Sequence, residues 1–521
     1  MTEQPHTPWF LGIDLGTSSC KSIIVNDQAQ ILGLAGRGYD AANARSQWQE
    51  QDPQALLAGL VASVRAAIEQ AGVAPQACAG LSVGGAMHGL MALDDHDAPL
   101  TGVITWADGR AAAQAEAVRA SDEAADLYQE TGCPVHATYP LYKLLWLRQE
   151  RPHIFAQAAR FVSAKEYAVA FLTGHFAVDY CTAAGSGLLN THTLEWNPRS
   201  LALAQIESRQ LSPLAGPLET LAPLNEDAAR QLGLPATTPL VLGATDAANS
   251  SLGTGAVRAG QAACMVGTSG ALRLVASAPL LDAQGQVWSY AIDGQHWLVG
   301  GAINNGGVAL TWLRDMLNAL LPQANRRRFQ DLLALAQSAP PGANGLLCLP
   351  FFSGERSPDW NVNARGVFFG LTLHHDAGHL ARAVLEGVAF RMRSIADMLA
   401  DAGLDPVEVR ASGGFTKSGF WLQLMADVLG RELTVPDRSE TSALGAAFWA
   451  MRGAGAVRSM EQMADLVPAR RVFSPAEDAA AIYDPLYALY RRFYRDAAES
   501  FDQIAGLQQQ LAHQHRQNGK D

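Results

Sequence analysis

The chain has 521 residues, more than one ordinary hydrophobic core accommodates, so two large lobes are the starting expectation. Hydrophobic residues make up 48% and charged residues 17%, which excludes a disordered or fibrous chain. Asp and Glu number 50 against 38 Lys and Arg, a net charge of -12, which argues against a general nucleic-acid or membrane-surface binder, so any anionic ligand has to be held locally.

The N-terminus, Met1 to Pro8, is polar and lacks a basic segment followed by an apolar run, so no secretion is expected. Phe10 to Asn26 (FLGIDLGTSSCKSIIVN) reads as strand, Gly-Thr-Ser turn, strand. Ala55 to Gln70 has helical periodicity. Its apolar stretch is broken by Arg65, and no run in the chain matches the length of a membrane span. Strands are expected at Cys78 to Val83 and Met91 to Asp94. This alternation marks an α/β chain.

Roughly half the chain later, Ala262 to Ala276 (AACMVGTSGALRLVA) repeats the strand, Gly-Thr-Ser turn and strand, which points to two lobes each opening on a hairpin of one kind. Beyond it, helices are expected at Val308 to Leu321, Leu380 to Ala402 and Phe420 to Leu429, with a strand at Val407 to Ala411. The lobe boundary is placed near Gly253 to Gly255, giving domains of 1–254 and 255–521. The tail from Gln508 to Asp521, rich in Gln and His, reads as a solvated, fraying helix end, and a homodimer contact there is left open. Six dispersed cysteines, Cys20, Cys78, Cys133, Cys181, Cys264 and Cys348, form no CxxC pair. They spell neither a zinc site nor a disulfide framework, and a reducing cytoplasm fits them best.

Several segments carry chemistry. After the first strand, Gly16 lets backbone amides approach an oxyanion, while the hydroxyls of Thr17 and Ser18 donate to phosphate oxygens and Lys21 offsets their charge. Asp14, at the strand end, suits Mg²⁺ bound directly or through water, although in an isolated DxGT the aspartate more often just caps a tight turn. In LVLGATDAANSSL, small neighbours leave room around Asp246, which is placed to accept the proton of an attacking hydroxyl; locally, a helix N-cap explains it as well. Asp14 and Asp246 are the carboxylates expected at the metal. Gly267 and Thr268 repeat the phosphate-type turn. Asn304 to Gly307 (NNGG) opens a helix whose positive end suits a phosphate. Gly413 and Gly414, in ASGGFTKSG, let an adenosine lie flat on the backbone, with Lys417 reaching toward the phosphates. Neither a Walker A loop nor a GxGxxG fingerprint occurs. On the acceptor side, Met87, His88, Trp106, Asp108 and Arg110 fall in one strand-loop-strand stretch. There Trp106 packs on carbons while His88 and Asp108 hydrogen-bond hydroxyls, as a polyol requires. Lys165, in SAKEY, is a candidate cation for a substrate carboxylate.

With these residues assembled, the chain resembles the FGGY family of carbohydrate kinases over nearly its whole length. The resemblance rests on GIDLGTSSCK, AMHG with ITWADGR, GATDAANSSLG, VGTSGALR, GERSPDWNVNARGVFFGL, and SGGFTKSGFWLQLMADVLGRELTVP followed by SALGAA. It implies an α/β fold of two actin-like, ribonuclease H-type lobes around an ATP and substrate cleft. By the same resemblance Asp246 is the general base and Asp14 assists Mg²⁺. Thr17, Ser18, Lys21, Thr268 and Gly307 would face the phosphates, and Gly413 and Gly414 the nucleoside. Met87, His88, Trp106 and a residue matching Thr138 would line the acceptor pocket. Glycerol kinases carry Arg-Glu in place of Met87-His88, which sets glycerol aside.

The MHG triplet is shared with xylulose kinases. TWAD instead of WND, SAKEYAVAFLTGHFAVDYCTAAGSGLLN and ERSPDWNVNARGVFFG look more like the gluconate-phosphorylating members, which often have Ser at Gly89 and Asn at Gly109. The expected ligands are therefore ATP, Mg²⁺ and a small sugar or sugar acid, with D-gluconate phosphorylated to 6-phospho-D-gluconate. A pentulose is the alternative acceptor, and a non-catalytic ATP-dependent switch is the alternative of another class.

Overall fold

The computed structural model describes residues 7–39, 41–45, 48–319, 321–437 and 440–517. By compactness the chain divides into two units, Met1–Ala259 with Leu274–Val299 and Arg438–Pro468, and Gly260–Arg273 with Gly300–Asp437 and Ala469–Asp521.

In the first unit, apolar alternation gives strands β1 (Trp9–Leu15), β2 (Ser19–Asn26), β3 (Ile31–Gly38), β4 (Cys78–Gly85) and β5 (Leu240–Val241). They form one sheet in the order β5-β4-β1-β2-β3, antiparallel across β1, β2 and β3 and parallel from β1 to β4 and from β4 to β5. The helix expected at Ala55 to Gln70 spans Pro53–Ala71. It is started by the Asp52 side chain and Pro53 and stopped by a left-handed Gly72. Leu56, Leu60, Val64 and Ala67, spaced to fall on one face, are buried with Leu11, Ile13 and Leu15 of β1 in a single core.

Small residues set a second packing surface. A Cβ at Gly253 would collide with the carbonyl of Thr441, and one at Gly445 with the carbonyl of Asn249, so the helices Asp246–Thr254 and Thr441–Gly453 cross backbone to backbone. Asn249 fixes the crossing: its Oδ1 accepts from Trp449 Nε1 at 2.9 Å, and its Nδ2 donates to Ala244 O at 3.1 Å. This is the physical sense of the SALGAA segment: it brings a helix against the element that carries Asp246.

In the second unit, β6 (Gln261–Val266), β7 (Gly270–Ala276), β8 (Trp297–Ile303), β9 (Glu408–Ser412), β10 (Glu432–Pro436) and β11 (Ala469–Phe473) run in the order β8-β7-β6-β9-β10-β11. β6 pairs parallel with β9, and β9 with β10. With the edge strand Trp288–Ala291, which pairs beyond β8, set aside, each sheet places its third, second, first, fourth and fifth strands side by side, the duplicated arrangement that the two hairpins announced. The expected helices appear as Gly307–Asn318, Ala377–Asp401 and Gly419–Leu429. The tail is helical within Ala479–Gln517, and residues 518–521 fall outside the described residues. Among the described residues, no helix is long and apolar enough to cross a membrane.

Candidate active site

In the first unit the turn after β1 is closed by Gly16 N donating to Ser19 O at 3.0 Å. Its carbonyls are held by side chains. Gln51 Nε2 donates to Thr17 O at 2.8 Å and to Gly16 O at 3.1 Å, and the Tyr39 hydroxyl also donates to Gly16 O. Lys21, expected to face phosphates, is already paired with Glu440 at 2.7 Å.

Asp246 is the first residue of its helix, and the capping role belongs instead to Thr245, whose Oγ1 accepts from Ala248 N. A carboxylate in the first turn is favoured by the helix dipole, which keeps Asp246 suited to taking a proton from an incoming hydroxyl. Asp14 lies close enough for the two charges to interact. Burial, reinforced by Asp246, pushes the Asp14 carboxyl up to about 7, with Ser442 and Lys21 acting in the opposite direction. Asp14 Oδ1 is buried with no hydrogen-bond partner among the described residues. Two neighbouring carboxylates with one unsatisfied oxygen fit a hard divalent cation that keeps most of its water and phosphate ligands. No described cluster of three or more His, Cys, Asp or Glu would cage an ion.

Met87 and His88 lie against the end of a short helix, Tyr180–Ala184, at Gly185. His88 sits in the left-handed region (φ 64) and its Nδ1 lies 2.6 Å from Gly185 O. A carbonyl only accepts, so Nδ1 carries the hydrogen and a neutral ring presents Nε2 as an acceptor. A Cβ at Gly185 would meet the Met87 methyl, which places Met87, His88 and Gly185 in contact. Tyr139 and Tyr290 stand edge-on to the His88 ring, with centroids at 5.0 Å and 5.8 Å. Their hydroxyls bond each other at 2.8 Å, and Trp288 stacks on Tyr290 at 4.6 Å. These three aromatics were not singled out from sequence, although the alternation of VWSYAI is a strand signal that faces two of them the same way.

Three expected residues have structural partners instead. Lys165 is buried and paired with Asp179 at 2.6 Å. Asp179 in turn caps the Tyr180–Ala184 helix through Thr182 N at 2.9 Å, so Lys165 steadies the helix that meets His88 rather than offering a free charge. Asp108 is buried, with Arg110 bound to both its oxygens at 2.7 Å and 2.6 Å and with Gln49 N at 2.7 Å. Thr138 Oγ1 donates to Trp106 O at 2.9 Å. Trp106 itself donates its indole N–H to Thr17 Oγ1 at 3.0 Å, tying the acceptor stretch to the turn after β1.

In the second unit the three glycine segments come together. The turn after β6 is closed by Gly267 N donating to Ser269 O at 2.9 Å. Gly306 N and Val308 N donate to Thr268 O at 3.1 Å and 3.2 Å, and Gly307 N donates to Gly267 O at 2.7 Å. The first amides of the helix Gly307–Asn318 are therefore satisfied inside the protein, and the expectation that they receive a phosphate is corrected: NNGG supports the Gly267–Thr268 turn. Glu355 holds it from behind, accepting from Asn304 N at 2.5 Å, with its carboxyl raised by burial and countered by Arg391. Gly413 (φ 94) lies where a Cβ would come within 2.6 Å of Val266 O. Gly413, Gly414, Thr268 and Lys417 are exposed around this surface.

The two halves of the chain match the N-terminal domain of the FGGY family of carbohydrate kinases over residues 9–253 and its C-terminal domain over residues 262–454. The chain belongs to the FGGY family of carbohydrate kinases. This FGGY kinase is 34% identical to the gluconokinase of Bacillus licheniformis, over 97% of its own length and 99% of the relative's. It superposes with a TM-score of 0.90 at 32% identity on the gluconate kinase of Lactobacillus acidophilus, covering 95% of this chain and 99% of that one. A ligand-bound xylulose kinase from Lactobacillus acidophilus gives the same score and identity, covering 95% and 100%.

Proposed function

We propose that this FGGY kinase transfers the γ-phosphoryl group of ATP to the terminal hydroxyl of D-gluconate, giving 6-phospho-D-gluconate and ADP. The observation that carries the reading is the placement of Asp246: it is relieved of capping by Thr245, sits beside Asp14, and stands on a helix linked through Cys181 to the helix that meets His88. The Cys181 Sγ lies 3.0 Å from Thr245 Oγ1. Asp246 accepts the proton of the attacking hydroxyl as the oxygen bonds to the γ-phosphorus and the bond to the ADP oxygen breaks. Met87, His88 and Trp106 hold the acceptor, with Thr138 bracing Trp106 and with Tyr139 and Tyr290 as an aromatic wall. Asp108 and Lys165 act through the residues they brace. Asp14 and Asp246 would hold Mg²⁺, which when bound offsets the charge on the phosphates. In the first unit Gly16, Thr17 and Ser18 are the phosphate-facing residues, with Lys21 held by Glu440; in the second unit Gly267, Thr268 and Lys417 face phosphate and Gly413 and Gly414 the nucleoside, with Gly307 supporting the Gly267–Thr268 turn. All six cysteines are buried and unpaired, in keeping with a cytoplasmic setting.

Gluconate is preferred on the gluconokinase relative and on the TWAD, SAKEY and ERSPDW segments. A pentulose is the second reading, favoured by the Met87-His88-Gly89 triplet and by the equal fit to a xylulose kinase structure. ADP release measured with and without gluconate separates both readings from a nucleotide switch. A kinase shows release that rises steeply with acceptor, whereas acceptor-independent release contradicts the proposal.

A further inference from the structure

Lys143 lies on the helix Pro140–Glu150 and is completely buried, and no feature of its sequence neighbourhood marks it out. Its Nζ donates to His88 O at 2.5 Å and to Thr105 O at 2.8 Å, with Ile104 O at 3.4 Å. Three carbonyls match the three hydrogens of an ammonium. Burial nevertheless depresses its pKa to about 7, with Asp108 favouring the charged form and Arg110 opposing it. The two carbonyls it holds most closely belong to His88, whose backbone is left-handed, and to the residue before Trp106. Trp106 is fixed at three points: through Thr105 by Lys143, at its own carbonyl by Thr138, and at its indole N–H by Thr17 Oγ1. An indole has one donor, and here Thr17 takes it, so Trp106 meets the acceptor with its apolar ring. The Thr17 hydroxyl, accepting from the indole, has its own hydrogen to direct elsewhere.

We propose that Lys143 is a positioning residue: it clamps the His88 and Trp106 backbones into one body and, through the Trp106–Thr17 hydrogen bond, makes the orientation of the phosphate-side hydroxyl depend on the acceptor. The acceptor then strengthens nucleotide binding because it settles Trp106, and Trp106 settles Thr17. This rests on the kinase reading above, in which Thr17 faces the phosphates.

The test uses the full chain and measures the dissociation constant of a non-hydrolysable ATP analogue with and without gluconate, in the wild type and in Trp106→Phe, Thr17→Val and Lys143→Met. Wild type is expected to bind the analogue about tenfold more tightly with gluconate present. Trp106→Phe, which keeps the ring and loses the N–H, is expected to reduce that ratio to about one, a loss within the usual range of coupling between two sites. Trp106→Phe combined with Thr17→Val should add nothing to either alone, as expected for two partners of one bond. Lys143→Met should do the same while raising KM for gluconate more than it lowers kcat. If it fails to fold, the two milder variants decide. A wild-type ratio of one, or a wild-type ratio kept in folded Trp106→Phe or in folded Lys143→Met, overturns the proposal. Absence of phosphoryl transfer by the wild type to any polyol would instead overturn the kinase reading itself.

Discussion

The turns Gly16–Thr17–Ser18 and Gly267–Thr268–Ser269 have the same sequence, and each is closed by a backbone bond from its glycine, to Ser19 O in one and Ser269 O in the other. They differ in what holds their carbonyls. The first is gripped by the side chains of Gln51 and Tyr39, with Trp106 on the Thr17 hydroxyl. The second is gripped by the main-chain amides of Gly306, Gly307 and Val308. A side-chain frame brings ionisable and shape-selective groups to a turn, in keeping with the proposed handling of acceptor and proton on that side. A backbone frame depends on the absence of Cβ atoms and adds no ionisable group to the turn, in keeping with its proposed place at the nucleotide.

Substitutions on the two sides should therefore fail differently. Asp246→Asn, on the side-chain face, is expected to lower kcat about 10³-fold, within the range for loss of a general base, while nucleotide affinity stays within about threefold. Steady-state kinetics with nucleotide titration check both. Gly445→Ala drives a Cβ into the Asn249 backbone behind Asp246, and is expected to cost about 3 kcal/mol in urea unfolding by overpacking. Gly413→Ala, on the backbone face, meets both a strained φ and Val266 O. It is expected to weaken nucleotide binding about tenfold, roughly 1.4 kcal/mol, with gluconate binding in the absence of nucleotide unchanged. Equal damage to both ligands would break the comparison.

The smallest effect concerns Asp14 and pH. Its carboxyl ordinarily titrates at 3.8 and in the folded protein at about 7, so between those values the folded state holds a proton that the unfolded state has lost. Its stabilising contribution is complete below the lower value and disappears as pH rises through the upper one. Without divalent cations, Asp14→Asn should therefore gain in Tm over the wild type as pH is raised from about 5 to about 8. A constant difference across that range would show that Asp14 is not held in this way.

Much of this architecture was legible in the sequence because the signals were local. Alternation and glycine turns gave both hairpins, and helical spacing gave Pro53–Ala71 and Ala377–Asp401 within a few residues. The roles of charged residues were less legible, because a charge's role depends on its partner. Lys165 and Lys21 read as free cations until Asp179 and Glu440 are seen beside them, 14 and 419 residues away in the chain. Lys143 is the converse case. It reads as an ordinary helix residue, since what it binds are carbonyls 55 and 38 residues distant. The Asn304–Gly307 turn misled for a related reason: its amides are a plausible anion site from sequence, and only the fold shows that Gly267 and Thr268 take them.

The most direct test of the central claim is a competition in which ATP is offered with gluconate and xylulose together at equal concentration and the phosphorylated products are quantified, since their ratio is the ratio of kcat/KM. The account predicts 6-phosphogluconate in at least about tenfold excess, formed one for one with ADP, and absent with Asp246→Asn. Predominant phosphorylation of xylulose, or ADP and inorganic phosphate without either sugar phosphate, would contradict it.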